Sequence, residues 1–446
     1  MTLARLLGVC GAIVAAGCGA SLDTGHHGAG AAGAVGTGLG GRSGGFAGAG
    51  SGVGGNIGLG GAAGTTFIGP RNNEVDILFM IDDSSEMTEM QAKLNSQLPL
   101  FVQSLQSLPV PPSLHIAVVS SDMGAPGDAT TSIMCTKVGD QGQFQSMPRG
   151  TCTATTLTPG DTFISDADMM PNYTDPIANV LQCIALLGDK GCGFEHQLAS
   201  IDRALGAENL QPGQTPNPPG TNANFLRPEA ALAIVILTNE DDCSAPADTK
   251  LYSLNGGQQN IANPLGPIAN YRCNQFGHLC TDPTTDAVIA PPLVPPSDAR
   301  GTAAAPTLDL TDCTSNGAGN GLLTPVAQFI SDIKALKTDP DNQIMVAAIA
   351  APATPYTVAW LPPSGGQNTQ PGELWPVIEH SCGSAGGYVN PAGQIVTDGS
   401  FGDPGVRIAA FVKAFPYGYL ESVCDPSYTS VLSALTTRIG QLIGSP

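Results

Sequence analysis

The chain contains several short segments that are almost entirely apolar, separated by longer segments in which apolar residues recur at helical spacing. Three apolar segments cover 75–81, 114–120 and 231–238, and a fourth covers 343–349. Continuous apolar runs of this length are typical of strands buried on both faces of a parallel sheet. The pattern therefore predicts a core of buried strands.

Between these strands the sequence predicts amphipathic helices. The first covers 88–106, and its apolar side consists of Met90, Leu94, Leu98, Phe101 and Leu105. Further helices are predicted over 176–187, 195–206, 322–337, 404–414 and 426–443. Strands that alternate with helices predict an α/β fold with a doubly wound, mostly parallel sheet and helices on both faces. Sites in such sheets form at the carboxyl ends of strands, where the strand order reverses.

The N-terminal segment has the pattern of an export signal. Residues 1–17 combine Arg5 with an apolar run that is too short to cross a membrane, as in a signal peptide. The run ends in A-A-G-C, which resembles the lipobox of bacterial lipoproteins and implies that Cys18 is acylated. Cleavage at an ordinary A-x-A-like site is the alternative. Residues 18–66 are mostly small residues without apolar periodicity, which predicts a flexible, lipid-anchored tether.

The charge balance narrows the set of partners. The chain has 37 acidic and 17 Lys or Arg residues among 446, a formal net charge of −20. Nucleic acid and anionic membrane surfaces favour basic proteins, so neither is an expected partner. Contact with a membrane is expected through the lipid anchor only.

The cysteines indicate an oxidising compartment. Ten lie beyond the N-terminal segment, and none forms the close C-x-x-C pair of a zinc site, so they are interpreted as disulfides. The connectivity does not follow from the sequence. Short separations suggest Cys135–Cys152, Cys183–Cys192 and Cys273–Cys280. A bond from Cys243 to Cys313 would anchor the loop after the third strand, and a bond from Cys382 to Cys424 would fasten the C-terminal helices to the domain.

Acidic and hydroxyl side chains follow the first and third predicted strands. The first loop has the sequence D-D-S-S-E over 82–86, and the second has N-E-D-D-C-S over 239–244. A third segment, G-C-G-F-E-H over 191–196, precedes a predicted helix. Because carboxyl ends of parallel strands share one edge of the sheet, these loops are expected to meet.

A buried strand that ends in D-x-S-x-S resembles the metal-ion-dependent adhesion site of von Willebrand factor type A domains. Asp82 and Ser84 match its first two positions, whereas Glu86 replaces the second serine. Glu195 and Asn239 stand where the family has Thr and Asp, and Asp241 could add a further carboxylate. The resemblance implies a Rossmann-like type A domain over 67–352.

This domain is expected to carry disulfide-bearing insertions over 121–174 and 244–320. A C-terminal extension over 353–446 is expected to pack two helices on it.

The resemblance implies a Mg²⁺ or Ca²⁺ site, and three interpretations stay open. The cation could mediate recognition of a protein or glycan, it could be saturated by carboxylates and only stabilise the loops, or the site could be a metal-free scaffold. The expected function is a non-catalytic binding or adhesion module of the cell envelope. Its expected place is the outer membrane, at the cell surface or the periplasmic face.

Catalysis is not indicated. The sequence has no H-E-x-x-H, G-x-S-x-G or P-loop motif, and no catalytic residue or organic cofactor is predicted. A metal-dependent hydrolase is the less favoured alternative. Asp83 and Glu240 are expected to be solvated loop acids, His196 a surface residue, and Asp76 the acceptor of a structural hydrogen bond.

Overall fold

The computed structural model describes residues 72–444 except 126–134, 148, 150–151, 153–156, 168–169, 254–260, 268, 304, 319–320, 364–371, 384–387, 390–394 and 397–398. The predicted signal peptide, Cys18 and the tether lie outside these residues. Within them, no helix is long and apolar enough to cross a membrane.

The helices are amphipathic segments whose positions largely follow the sequence pattern. They are α1 (Thr88–Gln106), α2 (Ile177–Ile184), α3 (Gln197–Leu205), α4 (Tyr271–Gly277), α5 (Val326–Ala335), α6 (Pro340–Gln343), α7 (Val406–Lys413) and α8 (Thr429–Gly444). The helix predicted over 322–337 begins later, at Val326, because Pro325 has an extended backbone and occupies the N-cap.

The strands include the four that the apolar segments predicted and others that they did not. They are β1 (Glu74–Ile81), β2 (Ser113–Ser120), β3 (Ile164–Ser165), β4 (Ala231–Leu237), β5 (His278–Asp282), β6 (Ala287–Ile289), β7 (Arg300–Thr302), β8 (Ala305–Ser315), β9 (Ile344–Ala350), β10 (Tyr356–Leu361), β11 (Trp375–Ile378), β12 (Cys382–Gly383), β13 (Tyr388–Val389), β14 (Ile395–Val396), β15 (Phe401–Gly402) and β16 (Gly418–Ser422).

The main sheet has six strands in the order β16-β9-β4-β1-β2-β3. Every neighbouring pair is parallel except β2 with β3, which is antiparallel. From β1 the sheet extends through β2 to β3 on one side. On the other side it extends from β4 through β9 to β16. The strand order therefore reverses between β1 and β4, where Ile81 pairs with Leu237.

Both faces of this sheet are covered by helices, as predicted. Successive residues of β1 point to opposite faces: Phe79 joins the core under α1, α2 and α8, whereas Met80 joins the core under α3, α5 and α7. Phe79 packs edge-on against Phe101 of α1, with ring centroids 6.1 Å apart. The mixed α/β fold with a mostly parallel sheet is confirmed.

The main sheet continues past residue 352, where the sequence placed the end of the domain. β16 is one of its two edge strands, and it lies within the segment that was interpreted as a helical extension. A second sheet, antiparallel throughout, has the order β11-β10-β8-β5-β6 with β7 beside β8. It joins strands from the predicted insertion at 244–320 to strands from the predicted extension.

All ten cysteines beyond the N-terminal segment form disulfides. The pair Cys382–Cys424 is confirmed, and the other four predicted pairings are wrong. The observed bonds are Cys135–Cys192, Cys152–Cys183, Cys243–Cys273 and Cys280–Cys313. Short sequence separation was a poor guide to the pairing, because the fold brings together loops whose cysteines are 30 to 57 residues apart in sequence. Five disulfides identify an exported or extracellular protein.

Asp76 in β1 makes the structural contact that was expected. Its side chain is fully buried and accepts hydrogen bonds from the Arg227 main-chain N–H and the Arg227 Nε, each at 2.8 Å. This pair fastens the loop before β4 to the amino end of β1.

The bond between Cys382 and Cys424 is expected to stabilise the fold, because it closes a loop with a sequence separation of 42. Replacing both residues by serine should lower the free energy of unfolding by about 2–4 kcal/mol. Urea unfolding with and without reductant checks this. An unfolding midpoint that is the same in the native and double-serine proteins would show that the bond does not stabilise the domain.

Candidate functional site

The candidate site is built around Asp82, the first residue after β1. Its main-chain N–H donates to the Leu237 carbonyl at 2.9 Å. Its Oδ1 accepts the Ser84 N–H at 2.9 Å and the Ser121 hydroxyl at 3.1 Å, and its Oδ2 accepts the Thr238 hydroxyl at 2.7 Å. One carboxylate thus joins the loops after β1, β2 and β4. Burial raises the pKa of Asp82, although these hydrogen bonds oppose the shift.

Ser84 and Asn239 lie beside this carboxylate with unused polar atoms. Ser84 is 2% exposed and Asn239 is 1% exposed. The Ser84 Oγ and both amide atoms of Asn239 have no hydrogen-bond partner among the described residues. Leaving such atoms unpaired costs about 1–3 kcal/mol each, so these positions are suited to a ligand that supplies the missing contacts.

Glu195 enters the same cluster from the loop before α3. It is 1% exposed, and its Oε1 accepts no hydrogen bond from the described N–H and O–H groups. Its main-chain carbonyl accepts the Cys243 N–H at 2.8 Å, which fixes it against the loop after β4. Burial raises the pKa of Glu195 well above its usual value, and the nearby carboxyls of Glu240 and Asp82 raise it further.

Glu240 is not the solvated acid that was expected. Its carboxyl lies near that of Glu195, and its negative charge raises the pKa of Glu195. Its Oε2 also accepts a hydrogen bond from the Asn270 amide. Burial, together with the charges of Asp403 and Asp82, raises the pKa of Glu240 to about 8. The raised pKa values of Glu195 and Glu240 favour the protonated form of this pair near neutral pH.

Asp241 does not join the other predicted ligands, and this part of the prediction is wrong. Its oxygens accept the His278 Nε2 at 2.7 Å and the main-chain N–H groups of Arg407 at 2.8 Å and Ile408 at 3.0 Å. The carboxylate caps the first turn of α7, where negative charge is favourable. Although burial opposes ionisation, these hydrogen bonds hold the pKa of Asp241 below its usual value.

Asp242 likewise caps the first turn of α3. It accepts the Leu198 main-chain N–H at 2.9 Å and an Arg407 guanidinium N–H at 2.8 Å. Most of the acidic run after β4 therefore positions helices.

Glu86 lies at the outer rim of the cluster and not inside it. It is exposed and has a φ of 79°. Partial burial raises its pKa, while the nearby His380 lowers it and Asp403 raises it. His380 and Asp403 form a pair with 2.7 Å between Nδ1 and Oδ1.

The segment that carries this pair covers the cluster. The Asp403 N–H donates to the Asn239 carbonyl at 2.8 Å. A Cβ added at Gly402 would lie 2.9 Å from the same oxygen, so glycine permits the close approach. No sequence pattern near 380 or 403 pointed to the site, because only the pairing of β12 with β15 brings the two positions together.

Two further expectations for the site loops are wrong. Asp83 is buried and its Oδ2 pairs with Arg149 Nη1 at 2.7 Å. Burial raises the pKa of Asp83 to about 8, although Arg149 opposes the shift. His196 is buried too, with its Nε2 2.7 Å from the Tyr252 hydroxyl. The burial of Asp83 and His196 could not be predicted from their local sequence, because the residues that contact them, Arg149 and Tyr252, are distant in sequence.

The predicted ligands thus divide into three groups. Asp82, Ser84, Glu195 and Asn239 share the buried edge of the sheet, Glu86 lies at the rim, and Asp241 belongs to α7. Within the described residues, no group of three or more His, Cys, Asp and Glu side chains is arranged to hold a metal. A cation at this edge would therefore need the Ser84 and Asn239 oxygens as ligands.

Comparisons with known proteins give no family assignment. No protein-family model matches the chain, and no curated protein matches it. Among solved structures, a pilus adhesin from Streptococcus pneumoniae aligns at 10% identity with a TM-score of 0.27, over 82% of this chain and 44% of the adhesin. The chain thus spans less than half of that protein, and a likeness this distant carries no argument.

The raised pKa values predict a pH dependence of stability in the cation-free protein. The Glu240 carboxyl has a pKa near 4.5 when solvated and about 8 when folded, so the folded state binds more protons between these values. The free energy of unfolding in a chelator should therefore fall as pH rises from 5 to 8, by at most about 1.4 kcal/mol per pH unit for this group.

Urea unfolding between pH 5 and 8 checks this prediction, with Glu240→Gln compared against Glu89→Gln on the exposed start of α1. The slope should flatten only in Glu240→Gln. Equal slopes in the native protein and both variants would refute the raised pKa of Glu240.

Proposed function

We propose that this chain is a non-catalytic binding module of the bacterial cell envelope, of the von Willebrand factor type A kind. Its cation site would lie at the carboxyl edge of the main sheet. The observation that carries the proposal is a set of buried oxygens near Asp82, contributed by Ser84, Glu195 and Asn239, that have no hydrogen-bond partner within the described part of the chain. The point where the strand order reverses, between β1 and β4, supports the same location.

The donor set fits a hard divalent cation. Mg²⁺ and Ca²⁺ bind carboxylate, hydroxyl and amide oxygens, and these are the groups present. A bound cation would supply positive charge to carboxylates that lie in a buried region without a basic partner of their own. Because ligands must be deprotonated, its binding would release the proton that the raised pKa of Glu195 favours.

The enclosure of the cluster favours the version in which the cation stabilises the loops. Asp82, Ser84, Glu195 and Asn239 are all at most 2% exposed, and Asp403 is hydrogen-bonded over Asn239. Because the described residues leave so little of these side chains exposed, direct coordination of a partner's carboxylate is disfavoured in this conformation. Recognition of a protein or glycan would then use the outer surface that these loops shape, and not direct coordination of the cation.

An exported, lipid-anchored location agrees with the disulfides and with the lipobox-like sequence at Cys18. The acyl chains would hold the protein at the outer membrane, and the tether would separate the folded part from the lipid. A metal-dependent hydrolase is less favoured, since the side chains of the cluster are almost fully buried by the described residues.

Calorimetric titration of the oxidised protein with Ca²⁺ and Mg²⁺ tests the site. We expect binding with proton release in the native protein, loss of binding in Glu195→Gln, and unchanged binding in Glu89→Gln. Glu195→Gln preserves the shape of the side chain and removes its charge. A preference for Ca²⁺ would favour the loop-stabilising version, because Ca²⁺ accepts about six to eight oxygens.

Two results would contradict the proposal. If neither cation binds, the site is a metal-free scaffold. If binding is undiminished in Glu195→Gln, the cation lies elsewhere.

A further inference from the structure

The Thr238 hydroxyl has one hydrogen to donate and, among the described residues, two acceptors within reach. Thr238 Oγ lies 2.7 Å from Asp82 Oδ2 and 3.0 Å from the main-chain carbonyl oxygen of Glu240. Thr238 is completely buried, so solvent does not decide between them. The direction of this hydrogen therefore determines whether Asp82 Oδ2 receives a hydrogen bond or faces a lone pair.

The side-chain amide of Gln197, at the start of α3, contacts both Thr238 and its second acceptor. Gln197 Nε2 lies 2.8 Å from Thr238 Oγ and 3.2 Å from the Glu240 carbonyl oxygen. Because an amide nitrogen has two hydrogens, it donates one to each. The Glu240 carbonyl then has a donor of its own, and the Thr238 hydrogen is directed to Asp82. The Asp82 carboxylate is also the nearer acceptor, and hydrogen bonds to ionised acceptors are the stronger ones.

The partners of Gln197 fix the orientation of its amide. The oxygen and nitrogen of a glutamine amide have nearly the same shape, so the partners decide which atom lies where. The Glu240 carbonyl has no hydrogen to donate, and a reversed amide would place two acceptors against each other. Gln197 is completely buried, and its Oε1 has no hydrogen-bond partner among the described residues. The amide is thus held through Nε2.

The start of α3 is fixed without the Gln197 amide. The Leu198 main-chain N–H donates to Asp242 Oδ1 and the Ala199 main-chain N–H donates to Ser244 Oγ, each at 2.9 Å. These two bonds join the first turn of α3 to the loop after β4, which also follows Thr238. Loss of the Gln197 amide should therefore leave the helix in place, and its effect should appear at Thr238.

We propose that Gln197 is a positioning residue of the candidate site, and that it fixes the Asp82 carboxylate through Thr238. Asp82 Oδ1 is already held by the Ser84 N–H and the Ser121 hydroxyl, so the Thr238 hydroxyl is the donor that holds Oδ2. A hydroxyl that accepts a hydrogen bond is a stronger donor, which links the two bonds. The inference rests on the proposed function, in which a cation would bind a carboxylate of fixed direction.

The test is a double-mutant cycle on Ca²⁺ affinity, measured by calorimetric titration of the full oxidised protein. Gln197→Met keeps the length of the side chain and removes its donors, and Thr238→Val keeps the shape of threonine and removes its hydroxyl. Each change should weaken binding by about tenfold or more, because changes to groups that orient metal ligands cost about 10- to 100-fold. The combined variant should bind no more weakly than Thr238→Val, since Gln197 acts through that hydroxyl.

Gln103→Met, at an exposed position of α1, is the matched control and should leave the affinity unchanged. Two results would overturn the positioning role. One is that Gln197→Met binds Ca²⁺ as tightly as the native protein. The other is that the losses of the two single variants multiply in the combined variant, which would show that Gln197 acts independently of Thr238.

A second measurement separates this inference from the cation site itself. If the native protein binds no Ca²⁺, the proposed function fails, and the relay is tested in the cation-free protein by the side-chain ¹⁵N resonance of Gln197. Asp82→Asn should shift this resonance when Thr238 is present and leave it unshifted in a Thr238→Val background. A resonance that does not respond to Asp82→Asn, or responds equally in both backgrounds, would overturn the inference.

Discussion

The structure depends on a carboxylate that is buried at the end of the central strand. Asp82 is fully enclosed, and it is held by donors from the loops that follow β1, β2 and β4. A buried charge is tolerated only when it is hydrogen-bonded or paired. Its three donors therefore determine how the loops converge, and they place Ser84 and Asn239 where their own polar atoms have no partner.

The charge around Asp82 extends this constraint outward. Burial raises the pKa values of Glu195 and Glu240, and the Asp403 N–H donates to the Asn239 carbonyl beside them. Clustered carboxyls in a region of low polarity either retain protons or acquire a cation. Cation binding would stabilise the region around Asp82 by compensating its buried negative charge.

The sequence predicted the fold where local pattern decides it. Continuous apolar runs identified β1, β2, β4 and β9, because both faces of these strands are buried. β16 was missed because it is a short, partly exposed outer strand with the sequence G-Y-L-E-S. In β8 the apolar residues Pro306, Leu308 and Leu310 alternate with polar residues, and this alternation was a usable sequence signal for the second sheet.

The site was predictable only in part. Asp82 and Ser84 directly follow the apolar run of β1, so the sequence correctly placed them in the loop at the carboxyl end of a buried strand. Whether Asp241 faced the cluster or α7 depended on Arg407 and His278, which are distant in sequence. Cysteine pairing failed for the same reason, since Cys135 lies opposite Cys192 only after the loops converge.

A crystal structure of the oxidised protein grown with Mn²⁺, with anomalous diffraction data, would show whether a cation lies beside Asp82. We expect an anomalous peak in contact with Asp82 or Glu195 and with the Ser84 and Asn239 oxygens. Direct contact between the Glu195 and Glu240 carboxyls, with no anomalous peak beside Asp82, would contradict it.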